Sequence, residues 1–152
     1  MNRGGRRRLL VAGAAAPLLL LVRPAVATPA SLTAAINDFT GGATLHTGKV
    51  TFEIAELIDN GNAVPVTIRV DSPMSEADHV AGIAIFNERN PLPDVVRFSL
   101  TPRAGKAVVS TRIRLATSQK LVAVAGMSDG SYWQQAVDVV VTLAACIEGE
   151  VS

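Results

Sequence analysis

The residue best placed for chemistry is Cys146, the one cysteine among 152 residues. Alternation along the last predicted strand puts it in phase with Asp138 and Thr142, on the more polar face. A single cysteine excludes an internal disulfide, so the thiol is either a small buried hydrophobe or a group that reacts with another molecule. Its place beyond the strand favours intermolecular chemistry. The following residues show no strand pattern, and we expect residues 144–152 to form a flexible arm.

Other polar side chains are weaker candidates. His46 and His79 lie in separate loops, so a shared metal site would require distant segments to converge, and we expect both to be solvated. Asp71, Glu76 and Asp78 fall in a turn, where carboxylates commonly stabilise local backbone geometry. We assign none of the five a catalytic or metal-binding role.

Composition narrows the class of protein. The chain has 14 basic and 13 acidic residues and is 49% hydrophobic, which fits one globular domain and disfavours disorder or a nucleic-acid-binding arm. The aromatic pair Tyr132 and Trp133 follows a turn, so we expect it to seal the end of a core. No CxxC, GxxxxGK[ST] or GxGxxG occurs, and the sequence therefore predicts no cofactor.

The first 27 residues have the pattern of an export signal. They contain five arginines and no acidic residue, an uncharged stretch from Leu9 to Val22, and the small residues Ala25 and Ala27 at alternate positions. A membrane anchor is the alternative, but the stretch is shorter than the roughly 20 residues that span a bilayer. The run GRRRLLVA resembles a twin-arginine leader, which implies export in the folded state. We expect cleavage after Ala27 and no membrane contact afterwards.

The rest of the chain predicts one helix followed by strands. Ser31 is the expected helix cap, Leu32 and Ile36 belong to its apolar side, and Gly41 follows its end. From Val50 onward apolar residues alternate between turn-forming segments, and the first two strands should form a hairpin. The predicted strands are 50–54, 64–70, 81–85, 96–100, 109–115, 121–127 and 136–143. They predict a mostly β, immunoglobulin-like sandwich over residues 28–143, although a barrel fits the spacing as well.

Four segments together resemble the SoxY family. They are GKVTFEIAELIDNGNAVPVTIRVDSPM from Gly48 to Met74, NPLP from Asn90 to Pro93, STRIRLATSQ from Ser110 to Gln119, and the turn SDGSYW. The resemblance extends over nearly all of residues 28–152. It implies a periplasmic, immunoglobulin-like subunit that pairs with SoxZ and is not itself an enzyme.

The resemblance also implies a role for Cys146 as the thiol that holds sulfur intermediates. A c-type cytochrome complex would conjugate thiosulfate to it, a hydrolase would release sulfate, and a sulfane dehydrogenase would oxidise the remaining sulfur. The tail departs from the family's usual Gly-Gly-Cys-Gly-Gly, because Ala144 and Ala145 precede the cysteine and Ile147 and Glu148 follow it. Alanine is stiffer than glycine. A non-catalytic assembly module is therefore the alternative, while a thiol enzyme such as a peroxidase lacks a resolving cysteine.

Overall fold

The computed structural model describes residues 27–145, so the predicted signal before Ala27 and the whole segment from Cys146 to Ser152 lie outside the described residues. The described part contains one α-helix and nine strands. They are α1 (Pro29–Thr40), β1 (Leu45–His46), β2 (Val50–Glu53), β3 (Leu57–Ile58), β4 (Val64–Val70), β5 (Val80–Asn87), β6 (Asp94–Ser99), β7 (Val108–Ile113), β8 (Gln119–Met127) and β9 (Tyr132–Val141).

These strands form two separate sheets, which confirms the predicted sandwich and decides against a barrel. The larger sheet has the order β1-β9-β8-β5-β6, and β3 also pairs with β9. The smaller sheet has the order β2-β4-β7. Its β2 and β4 pair in antiparallel as predicted, but the segment that joins them contains β3, which pairs with β9 of the larger sheet. One side of the sandwich ends in two edge strands, β6 in the larger sheet and β7 in the smaller.

The core lies between the sheets and follows the alternation in the sequence. In β4 every second residue from Val64 to Val70 is buried, and in β7 Ile113 is buried while Arg112 is exposed. Nearly every residue of β8 is buried because α1 covers the outer face of the larger sheet. There Leu32 and Ile36 pack on Phe86. The molecule therefore has three layers, with the helix outermost.

The helix begins three residues earlier than predicted. Its N-cap is Thr28, whose hydroxyl accepts a 3.1 Å hydrogen bond from the amide of Ser31. Ser31 is instead the third helical residue, and its hydroxyl accepts a 2.6 Å bond from the amide of Thr28 in return, a capping box. At the other end Gly41 adopts φ 64°, so the predicted end of the helix is confirmed. Among residues 27–145, no helix is long and apolar enough to cross a membrane.

The strand count and the bounds of the last strand differ from prediction. The two extra strands, β1 and β3, have two residues each and pair in parallel with opposite ends of β9. They are too short to show an alternating pattern. The last strand begins at Tyr132 rather than 136 and ends at Val141 rather than 143. Leu143, the last residue of the predicted strand, therefore lies outside it and is 60% exposed.

Candidate functional site at the end of the last strand

Residues 142–145 connect the end of β9 to Cys146, and hydrogen bonds join this part of the chain to neighbouring loops. The amide of Val141 donates a 2.9 Å hydrogen bond to the hydroxyl of Ser118, and the amide of Thr142 donates to the carbonyl of Ile58 at 2.9 Å. Ala144 is exposed, but Ala145 is only 7% exposed. The predicted site residue, Cys146, is the first residue after the described part.

Three backbone hydrogen bonds link the end of this segment to two other parts of the chain. The amide of Gly61 donates to Leu143 at 2.8 Å, the amide of Leu115 donates to Gly61 at 2.8 Å, and the amide of Ala145 donates to Leu115 at 3.1 Å. We call this arrangement of Gly61, Leu115, Leu143 and Ala145 the backbone clasp. It places the residue before Cys146 at a fixed point of the sandwich.

A polar network centred on Asn90 supports the segment that carries Leu115. The Asn90 side-chain amide donates to the carbonyl of Arg114 at 2.8 Å, and its oxygen accepts from the amide of Ala116 at 3.0 Å and from Gln119 Nε2 at 2.8 Å. The carbonyl of Asn90 also accepts a 2.8 Å bond from the amide of Ala27. Both ends of the described chain are therefore connected to the same end of the sandwich.

An open cleft of about 480 Å³ lies beside this network, between the edge strands β6 and β7. Val95, Val96 and Ile113 contribute its apolar part, and Arg112 and Arg114 its positive charge. Sequence reasoning did not find the cleft. The NPLP motif marks one border of the cleft in the sequence, because Asn90 to Pro93 form the adjoining loop. The motif does not indicate that the edges of two sheets meet there.

The two histidines lie at the opposite end of the sandwich. His46 is exposed and its ring centroid is 5.2 Å from that of Trp133, while His79 is half-buried and its Nδ1 is 3.1 Å from the carbonyl of Ser75. Within residues 27–145, no three His, Cys, Asp or Glu side chains are grouped as a metal site would need. Within that range, His46 and His79 therefore do not form such a group with the Asp71, Glu76 and Asp78 carboxylates.

The turn between β8 and β9 positions the aromatic pair. Tyr132 packs against Phe39 of the helix, with centroids 5.9 Å apart, and Trp133 packs partly buried against the main core. Asp129 accepts hydrogen bonds from the hydroxyl and the amide of Ser131, which lower the pKa of its carboxyl. That hydroxyl also accepts a 3.1 Å bond from the indole of Trp133. The predicted role of the pair in sealing the core fits these contacts.

The fold alone is shared with several solved proteins. A superoxide reductase (neelaredoxin) from Ignicoccus hospitalis aligns with a TM-score of 0.56 and 14% identity over 64% of this chain and 94% of that one. A putative superoxide reductase from Thermotoga maritima aligns with a TM-score of 0.53 and 19% identity, over 68% of this chain and 90% of that one. The superoxide reductase from Nanoarchaeum equitans aligns with a TM-score of 0.53 and 14% identity, over 63% of this chain and 100% of that one. At such identities the likeness concerns the sandwich and not the chemistry.

The fold and the backbone clasp define a small β-sandwich protein in which a lone cysteine directly follows the last described residue, Ala145. The sequence profile of the family described as "Sulfur oxidation protein SoxY" matches residues 36–146, which is well over half of the chain. This chain belongs to the SoxY family. The matched segment ends on Cys146 itself. No curated protein matches the chain.

Proposed function

We propose that the protein is a covalent carrier of sulfur intermediates in thiosulfate oxidation and that Cys146 is the attachment point. The observation that carries this proposal is the family match through Cys146, the one thiol of the chain. A carrier needs a thiol that several enzymes can approach in turn. It needs no general base of its own, because the enzyme that docks the thiol can supply it.

The proposed chemistry divides the oxidation among separate proteins. In the first step the thiol loses a proton, a bond forms between its sulfur and the outer sulfur of thiosulfate, and two electrons pass to a c-type cytochrome complex. Water then cleaves the sulfur–sulfonate bond at a hydrolase, which releases sulfate and leaves a persulfide on the protein. A sulfane dehydrogenase takes six electrons from the outer persulfide sulfur while three waters supply oxygen. A second hydrolysis releases sulfate and regenerates the thiol.

The charge around the clasp supports an anionic cargo. A thiosulfonate or sulfonate adduct carries negative charge. Arg114 directly precedes Leu115, whose carbonyl holds Ala145, and Arg112 is exposed two residues earlier. Within residues 27–145, neither arginine has a carboxylate within ion-pair distance. Both guanidinium groups can therefore interact with an anion near the end of the sandwich.

We propose that SoxZ is the stable partner and that the pair works in the periplasm. The family match supports a place in the Sox system, and the leader pattern of residues 1–27 supports export as a folded protein. If so, a tagged full-length chain purified from the periplasm of its own host should bring SoxZ with it. Recovery of the chain without SoxZ from that compartment would contradict the pairing.

The function is tested by replacing Cys146 with serine in the full-length chain. Thiosulfate-dependent oxygen uptake by cells should fall to the level of a deletion strain, because serine cannot form the sulfur–sulfur bond. Ala144→Ser is the matched control, since it adds the same side chain at an exposed neighbouring position and should leave uptake unchanged. Wild-type uptake in Cys146→Ser cells would overturn the carrier proposal.

A second candidate, a non-catalytic assembly module, is favoured by one observation. The backbone clasp holds Ala145, so any free arm begins at Cys146, and the alanines before it replace the family's usual glycines. A module of this kind would present no cargo to enzymes with deep sites. It predicts that Cys146→Ser cells respire on thiosulfate as well as wild type, which is the opposite of the carrier's result.

A further inference from the structure

Gly61 occupies a position in the backbone clasp where no larger residue fits. A Cβ atom built on Gly61 would overlap the carbonyl oxygen of Leu115, and it would lie 3.0 Å from the amide nitrogen of Ala145 and 3.2 Å from Cγ1 of Val141. The first two neighbours are backbone atoms, which cannot turn aside as the end of a flexible side chain can. The absence of a side chain at residue 61 is therefore a condition for the three segments to meet.

We propose that Gly61 is a positioning residue for the carrier thiol, an inference that rests on the proposed function of Cys146. By allowing the close approach of Leu115 and Ala145, Gly61 lets the clasp form. The clasp in turn fixes the backbone position of Ala145, the residue to which Cys146 is covalently joined. The role proposed for Gly61 is exerted through the backbone of Leu115 and Ala145 and requires no contact with the sulfur cargo.

The clasp sets how far the thiol can move. With Ala145 held, the Cα atom of Cys146 lies one residue spacing, about 3.8 Å, from a fixed atom. If the chain were free from the end of β9 at Val141, five residues would lead to Cys146, and its reach would be about 17 Å. An enzyme that receives the cargo must therefore accept the thiol close to the surface of the sandwich or open the clasp first.

The hydrogen bonds of the clasp are suited to opening on demand. The bond between Ala145 and Leu115 is the longest of the three, and among residues 143–145 only the small methyl group of Ala145 is buried. A docking surface that supplies other partners for Ala145 can therefore release it while the sandwich stays folded. Gly61 and Leu115 remain joined to each other when this happens.

The test uses the lone cysteine of the full-length chain as the site of a nitroxide spin label. In Gly61→Ala we expect a more mobile label at Cys146 and amide exchange at Ala145 about five- to tenfold faster than in wild type, as the loss of one such hydrogen bond predicts. Gly82→Ala is the matched control, because a Cβ there meets nothing closer than 3.4 Å. Identical mobility and exchange in Gly61→Ala and wild type would overturn the proposal.

Two further variants keep the test independent of folding and of the carrier function. If Gly61→Ala fails to fold, Ala145→Pro removes the amide hydrogen that Ala145 donates to Leu115 and also restricts the backbone of residues 144 and 145, and it should mobilise the label in the same way. A label at residue 110, in a Ser110→Cys, Cys146→Ser chain, should not respond to Gly61→Ala. Neither measurement needs sulfur chemistry, so a carrier that fails to load while its label responds would refute the proposed function and leave the positioning role intact.

Discussion

The side chain of Gln135 accepts a 2.8 Å hydrogen bond from the backbone amide of Phe52, and this contact joins the two sheets directly. Gln135 belongs to β9 in the larger sheet, and Phe52 belongs to β2 in the smaller one. The chain pairs with β9 first through β1 and later through β3. Between these two strands it forms β2, which belongs to the smaller sheet. Gln135 thus provides a hydrogen-bond acceptor for the Phe52 amide at the place where the chain passes from one sheet to the other.

Replacing Gln135 with alanine should destabilise the sandwich. The amide of Phe52 would lose its partner beside a side chain that is 4% exposed, so we expect the free energy of unfolding to fall by about 1–3 kcal/mol. Urea denaturation of the chain from residue 28 measures this change. Gln134→Ala is the control from the opposite face of β9 and should change stability by less than about 0.5 kcal/mol. Equal stabilities of the two variants would refute the role of this bond.

Asn90→Ala should loosen the end of the sandwich that carries the clasp. The change removes the partners of Arg114, Ala116 and Gln119 at once, and Gln119 is only 5% exposed. We expect a loss of about 2 kcal/mol in the free energy of unfolding and faster amide exchange at Ala116. Asn37→Ala, on the exposed side of α1, should show neither effect. Unchanged exchange at Ala116 would show that Asn90 does not hold this segment.

The hydrogen bonds that Asp129 accepts should make the free energy of unfolding depend on pH in the acidic range. Hydrogen bonds from Ser131 lower the pKa of the Asp129 carboxyl below 3.8, so its contribution is present above that value and is lost as the pH falls through the lowered pKa. Asp129→Asn should therefore be less stable than wild type at pH 7, and the difference should shrink below about pH 4. Urea midpoints at pH 7 and pH 3 measure it. A difference that is the same at both values would contradict this assignment.

Much of this fold was readable from the sequence because its main strands are half-buried and therefore alternate. The alternation from Val64 to Val70 predicted both this strand and its buried face. The helix end was predicted from Gly41, which supplies the left-handed conformation. Choosing between sandwich and barrel needed the pairing of strands distant in the sequence, which alternation does not encode.

The site was predictable only in part for a different physical reason. Cys146 could be singled out by its type and position, but the clasp consists of backbone hydrogen bonds between Gly61, Leu115 and Ala145, and backbone groups are the same in every residue. In the sequence Asp59-Asn60-Gly61-Asn62 a glycine is typical of a turn between two strands, which is the usual reason for such a residue. Its close approach to two other segments depends on tertiary structure. The Asn90 network was missed for the same reason.

The most direct test of the central claim is the intact mass of the protein taken from cells oxidising thiosulfate, measured before and after reduction. The carrier account predicts mass increases that correspond to added sulfur or sulfonate groups, that map to the Cys146 peptide, and that disappear with reductant. Cys146→Ser protein from the same cells should give one unmodified mass. A single unmodified mass for the wild-type chain under turnover, or adducts that persist in Cys146→Ser, would contradict the account.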